Sequence, residues 1–78
     1  MSSVKIYTTN TCTYCKMAKD FFQQNNVPYE ELNVVTDVKA RQEMVEKSGQ
    51  LGVPVIDVDG TIVVGYDRER LSGLLGIK

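Results

Sequence analysis

Residues 4–22 read Val4-Lys5-Ile6-Tyr7-Thr8-Thr9-Asn10-Thr11-Cys12-Thr13-Tyr14-Cys15-Lys16-Met17-Ala18-Lys19-Asp20-Phe21-Phe22. Val4, Ile6 and Thr8 alternate with Lys5 and Tyr7, the period of a β-strand, here near residues 3 to 8. A mostly apolar, β-branched run of this kind suits a central strand covered on both faces. Thr9-Asn10-Thr11 is polar loop. From Thr13 to about Asn25 the apolar residues recur at helical spacing, with Tyr14, Ala18, Phe21 and Phe22 on one side. Cys12 therefore stands where a strand hands over to the first turn of a helix. Unpaired backbone N–H groups and the positive end of the helix dipole point there, and both favour a thiolate, the reactive form of cysteine.

Outward from this stretch the chain punctuates itself. Asn25-Asn26 suits a left-handed helix end, and Val27-Pro28 cannot continue the helix. Tyr29 to Val34 reads as a second strand, and a strand–helix–strand unit this short predicts a parallel crossover. Thr36 or Asp37 caps a second helix reaching about Ser48, with Val38, Arg41, Met44 and Val45 along one side and Gly49 at its end. Val55–Val58 and Thr61–Gly65 flank Asp59-Gly60, a strong hairpin signal that sets Val58 opposite Thr61 and Ile56 opposite Val63. Both sides of that hairpin are largely apolar, which predicts cover on each. Asp67 caps a last helix to about Leu75, with Leu71, Leu74 and Leu75 inward and Gly76 at its end.

The 78 residues leave room for one small domain spanning 1–78. Hydrophobic and charged residues at 42% and 24% are ordinary for a soluble globular chain, and a net charge of −1 makes no electrostatic case for nucleic acid or an anionic membrane. The N-terminus lacks a long apolar segment and no run reaches membrane-spanning length, so the expectation is a cytoplasmic, reducing setting. The only two cysteines, spaced Cys-x-x-Cys, are in that setting a redox dithiol rather than a staple. There is no histidine to act as base, which leaves helix N-terminal amides and Lys16 to activate the thiol. A zinc site usually needs four Cys/His ligands. A metal or iron–sulfur module using Cys12 from two chains is the alternative to dithiol chemistry.

The order strand, helix, strand, helix, strand, strand, helix is that of a minimal thioredoxin-like α/β fold: a four-stranded mixed sheet with three helices. Over nearly its whole length the chain resembles the glutaredoxins. The resemblance is carried by Val4–Thr8, Thr11-Cys12-Thr13-Tyr14-Cys15, Arg41-Gln42-Glu43-Met44, Ser48-Gly49-Gln50, Gly52-Val53-Pro54 and Gly65-Tyr66-Asp67. It implies a monomeric dithiol–disulfide oxidoreductase with Cys12 as nucleophile and Cys15 as resolving thiol. It further implies Thr11, Thr13 and Tyr14 at the substrate, a cis Pro54 that aims the Val53 backbone at an extended substrate, and Asp67 facing the γ-glutamyl amino group of glutathione. The implied partners are disulfide-bearing proteins, and no cofactor is bound. Departures from the family pattern bear on the electron donor. Thr9 stands where glutathione users commonly carry lysine, Val64 replaces a glycine, and Tyr66 adds bulk that is expected to crowd the glutathione groove. Arg41 could replace the missing cation if it faced that groove. The donor is accordingly read as glutathione, weakly bound, or a thioredoxin-reductase-type flavoenzyme.

Overall fold

The computed structural model describes residues 3–77. Its elements run β1 (Val4–Thr8), α1 (Thr13–Gln24), β2 (Glu30–Asn33), α2 (Val38–Ser48), β3 (Val55–Val58), β4 (Thr61–Val64) and α3 (Arg68–Leu75). The sheet order is β2-β1-β3-β4. β1 lies parallel to β2 and antiparallel to β3, and β3 pairs antiparallel with β4. The mixed four-stranded sheet with three helices is thus the one expected from the element order, with β1 in its interior.

Strand alternation divides the core in two. Val4 and Ile6 of β1, Ile56 and Val58 of β3 and Val63 of β4 join Ala18, Phe21 and Phe22 of α1 and Leu71 of α3. The opposite parity sends Tyr7 and Val55 to α2, where Ala40, Met44 and Val34 cover them. Asp59 and Gly60 both take positive φ (51° and 92°), the pair that a two-residue hairpin turn demands. The turn delivers the expected register, Val58 opposite Thr61 and Ile56 opposite Val63. Each helix starts and stops on chemistry visible in the sequence. Asp37 Oδ1 accepts from the Ala40 amide at 3.1 Å, and Asp67 Oδ1 accepts from the Arg70 amide at 3.1 Å. Gly49 and Gly76 close α2 and α3 in the left-handed conformation, and Asn26 takes it after α1.

Four expectations need correction. Tyr14 is 61% exposed, and Cys15 takes its place in the buried stripe of α1. Val38 is 67% exposed, and Arg41 is exposed with it. The inward side of α2 is Ala40 and Met44, with Val45 partly buried beside them, while the partly exposed side chains of Glu43 and Lys47 reach along the helix edge to polar partners on the sheet (Tyr7 and Asp57). Leu74 is 37% exposed, since Leu71 and Leu75, four apart, already supply the contact of α3 with the core. Val64, on the β4 edge, is 50% exposed, so that side of the hairpin is only partly covered.

The α2 side is closed by a charged network. Lys47 Nζ donates to Asp57 at 2.7 Å, to Glu43 at 2.9 Å and to the Tyr7 hydroxyl at 3.1 Å. The Tyr7 hydroxyl in turn donates to Glu43. The other Asp57 oxygen accepts from the Gly60 amide at 2.7 Å, so one buried carboxylate holds both α2 and the hairpin turn. Among the described residues every buried side-chain polar atom has a partner, as burial requires.

Candidate active site

Cys12 is the N-cap of α1, with extended backbone (φ −89°, ψ 111°). Its carbonyl accepts the first helical bond, from the Lys16 amide at 3.2 Å, and its Sγ accepts from the Cys15 amide at 3.1 Å. The two Cα atoms lie 5.2 Å apart and the sulfurs are bonded to each other as a disulfide. Cys15 is 1% exposed while Cys12 is partly open, as the positions of cap and first turn dictate. The first turn of α1 holds no acidic residue. On reduction, negative charge on Cys12 therefore meets an N–H donor and the positive end of the helix, with nothing anionic in the first turn opposing it.

The sheet brings the remaining expected residues to the same end. Tyr7 is opposite Val55, so Val53-Pro54 lies beside the chain just past Thr8, where the loop to Cys12 begins. The Val53–Pro54 peptide is cis and Pro54 is buried. Its carbonyl accepts from the Gly65 amide at 2.8 Å, which draws the β4–α3 loop and Asp67 to this end as well. Gly65 has φ 81°, a left-handed residue that redirects the chain out of β4. Thr11, Thr13 and Tyr14 are exposed around Cys12.

Two residues named for this end are placed by their surroundings. The ring of Tyr66, partly buried, packs edge-on against Phe21, centroids 6.2 Å apart, at the margin of the α1/α3 core. An aromatic ring gains from that burial, so Tyr66 pins the β4–α3 loop to α1. Arg41 is exposed on α2 beside Val38 and is not among the residues lining the groove on the β2 side of Cys12.

That groove, about 540 Å³, opens on the β2 side of Cys12. Thr9, Thr11 and Thr13 contribute to its walls together with Lys16, Lys19 and Glu31. Glu31 shares the β1 face of Ile6, its partner in register, and so sits below α1. Its Oε2 accepts from Lys19 Nζ at 2.8 Å and from the buried Thr8 hydroxyl at 3.1 Å. The Lys19 ammonium, then the Thr8 hydroxyl, hold the Glu31 carboxyl below its usual range. A second tie steadies the same loop. Asn33 Nδ2 donates to Asn10 Oδ1, while Asn33 Oδ1 accepts from the Val35 amide at 2.9 Å. Glu31, Lys19 and Asn33 escaped the sequence reading because their meeting depends on the β1–β2 register. The spacing of Lys16 and Lys19, three apart on one helix face, was the one available signal.

Among the described residues no three His, Cys, Asp or Glu side chains converge as a metal site. No helix among them is long and apolar enough to cross a membrane.

A mixed β2-β1-β3-β4 sheet with a Cys-x-x-Cys at the head of α1 and a cis proline before β3 defines a thioredoxin-like dithiol domain. Residues 4–63 match the family model for glutaredoxin, and the chain belongs to the glutaredoxin family. It is 42% identical over 72 residues to an uncharacterised glutaredoxin-like 8.6 kDa protein in the rubredoxin operon of Clostridium pasteurianum, covering 92% of this chain and 96% of that one. To glutaredoxin 3 of Escherichia coli it is 37% identical over 67 residues, 86% of this chain and 81% of the relative. Among solved structures, a mutant of a thioredoxin-like protein superposes with a TM-score of 0.93 at 33% identity, covering 100% of both chains.

Proposed function

We propose that the protein is a dithiol–disulfide oxidoreductase in which Cys12 attacks and Cys15 resolves. The observation that carries this reading is the pairing of a partly open N-cap sulfur, already accepting an amide N–H, with a buried second sulfur one turn on. The Cys12 thiolate attacks one sulfur of a substrate disulfide, forming a mixed disulfide and releasing the first thiolate, which takes up a proton. Cys15, losing its own proton, then attacks Cys12 Sγ, closes the Cys12–Cys15 bond and releases the second thiol. The substrate gains two electrons and the protein dithiol loses two. Thr11, Thr13 and Tyr14 border the approach to Cys12. The backbone of Val53 beside cis Pro54 pairs with an extended substrate as an added strand. Asp67 keeps one carboxylate oxygen on the Arg70 amide and offers the other to a ligand ammonium group.

Electrons return to the protein from glutathione or from a thioredoxin-reductase-type flavoenzyme. Thr9 and Val64 weigh toward the flavoenzyme. A coupled assay with each donor at matched concentration separates them.

The test of the central reading is intact mass after exposure to a disulfide. Cys15→Ser should accumulate a mixed disulfide, and Cys12→Ser should form none and turn nothing over. Adduct on Cys12→Ser alone would reverse the roles. Stoichiometric iron or zinc on the purified protein, with no disulfide turnover, would replace this reading by the cluster-carrying one.

A further inference from the structure

We propose that the groove on the β2 side of Cys12 is a subsite for the zwitterionic α-amino-acid end of a low-molecular-weight disulfide, with Lys16 receiving its carboxylate and Glu31 its ammonium. The proposal rests on the dithiol reading above and names a substrate class for it.

The placement of the groove comes first. Glu31 belongs to β2, on one side of β1, whereas Pro54 and Asp67 belong to the β3 and β4 side. Cys12 follows β1 and stands between the two. A thiolate attacks a disulfide with the three sulfurs roughly in line, so the two halves of the substrate extend to different sides of the nucleophile. If one half lies along Val53 and Pro54, the other enters the β2 side.

Its chemistry comes second. About 540 Å³ is within the size range of small-ligand sites. The lining is threonine hydroxyls and charge, which suits an ionic small molecule and not an apolar peptide segment. Both signs are present. Glu31 and Lys19 form a pair in which Lys19 and Thr8 both bond the same oxygen, Oε2. Among the described residues Oε1 has no hydrogen-bond partner, and the carboxylate is held in place by its bonds through Oε2. Lys16, one turn from Cys12, has no ion-pair partner among the described residues. The groove thus offers one anchored anionic oxygen and one uncommitted cation beside the reacting sulfur. An amino acid carries the complementary pair on one carbon.

The experiment uses the full chain, reduced with dithiothreitol and freed of it, in single-turnover reactions followed by loss of protein thiol. Four disulfides supply the charge series: cystine (zwitterionic), cystamine (cationic), dithiodipropionate (anionic) and hydroxyethyl disulfide (neutral). Each rate is divided by that protein's rate with hydroxyethyl disulfide. Cystine should lead in the wild type. Glu31→Gln should lower the relative rates of cystine and cystamine, and Lys16→Gln those of cystine and dithiodipropionate, each by about tenfold, the effect of one charge-assisted hydrogen bond. Glu46→Gln, on the outer side of α2, should leave all ratios as they are. Relative rates that ignore charge, or that move equally for all charged disulfides in both variants, overturn the subsite while hydroxyethyl disulfide reduction keeps the dithiol reading intact. Failure of the wild type to reduce any of the four, hydroxyethyl disulfide included, overturns both.

Discussion

The two faces of the sheet are held by different forces. Under α1 and α3 the interior is aliphatic and aromatic carbon: Val4, Ile6, Phe22, Ile56, Val58 and Leu71 lie 0–4% exposed. Among the described residues its one ion pair, Lys19 with Glu31, stays at the rim, in the groove beside Cys12. At the edge of α2 a partly exposed charged network reaches one buried carboxylate, Asp57. Lys47 reaches Asp57, Glu43 and Tyr7 there. The carbon face carries the dithiol helix, whose contact with the sheet is mainly apolar, with the Lys19–Glu31 pair at its rim. The ionic face fixes the rotation of α2 and, through Asp57 and Gly60, the hairpin turn. Burial without direction supports the dithiol helix, whereas directional bonds set the register of the helix across from it.

The sharpest test of this division is to cut into the carbon face. Phe22→Ala removes a fully buried ring and should cost about 3–5 kcal/mol in urea unfolding. That is a large share of a small domain's stability of roughly 5–15 kcal/mol. Asp57→Asn on the opposite face should cost less, about 1.5–3 kcal/mol, since the amide oxygen can still accept from Gly60 while Lys47 loses its shortest ionic contact. Equal costs for the two variants would erase the distinction between the faces.

The second test is pH, read as the midpoint of thermal unfolding across a pH series. The Tyr7 hydroxyl, then Lys47, hold the Glu43 carboxyl below its ordinary 4.5. A depressed folded value means stabilisation that is present above pH 4.5 and is lost as the pH falls further through that value. Asp57 chiefly raises Lys47 above its ordinary 10.5, and burial, then Glu43, raises Tyr7 above 10.0. Raised folded values mean stabilisation that is present below these pH values and is lost as the pH climbs past them. Glu43→Gln should shallow the acid limb, leaving the share that belongs to Glu31 at the α1 rim. Lys47→Met should shallow the alkaline limb. Alkaline loss that survives Lys47→Met unchanged would remove Lys47 as its source and leave Tyr7, which burial and Glu43 raise.

The smallest effect tests the corrected rotation of α2. Val38→Ser should change stability by no more than about 0.5 kcal/mol, because Val38 is 67% exposed. A core-sized loss would return Val38 to the inward stripe.

Much of this molecule was legible from residue order. Asp59-Gly60 set a two-residue hairpin because only that turn fits positive φ at both positions, and the register of β3 and β4 followed. Asp37, Asp67, Gly49 and Gly76 marked helix ends through bonds to their own neighbours, which need no knowledge of the rest of the chain. Cys12 and Cys15 fell at cap and first turn for the same local reason. Tertiary structure decided what lies across the sheet. Hydropathy counts Lys47, Glu43 and Asp57 as surface, and only the packing of α2 on β1 and β3 shows them as each other's partners at its edge. It likewise decided that Tyr66 turns onto Phe21, and that Glu31, nineteen positions beyond Cys12 in the chain, forms the wall of its groove. Local bonds are written in neighbouring residues, whereas contacts between distant segments depend on strand register and on where each helix comes to rest.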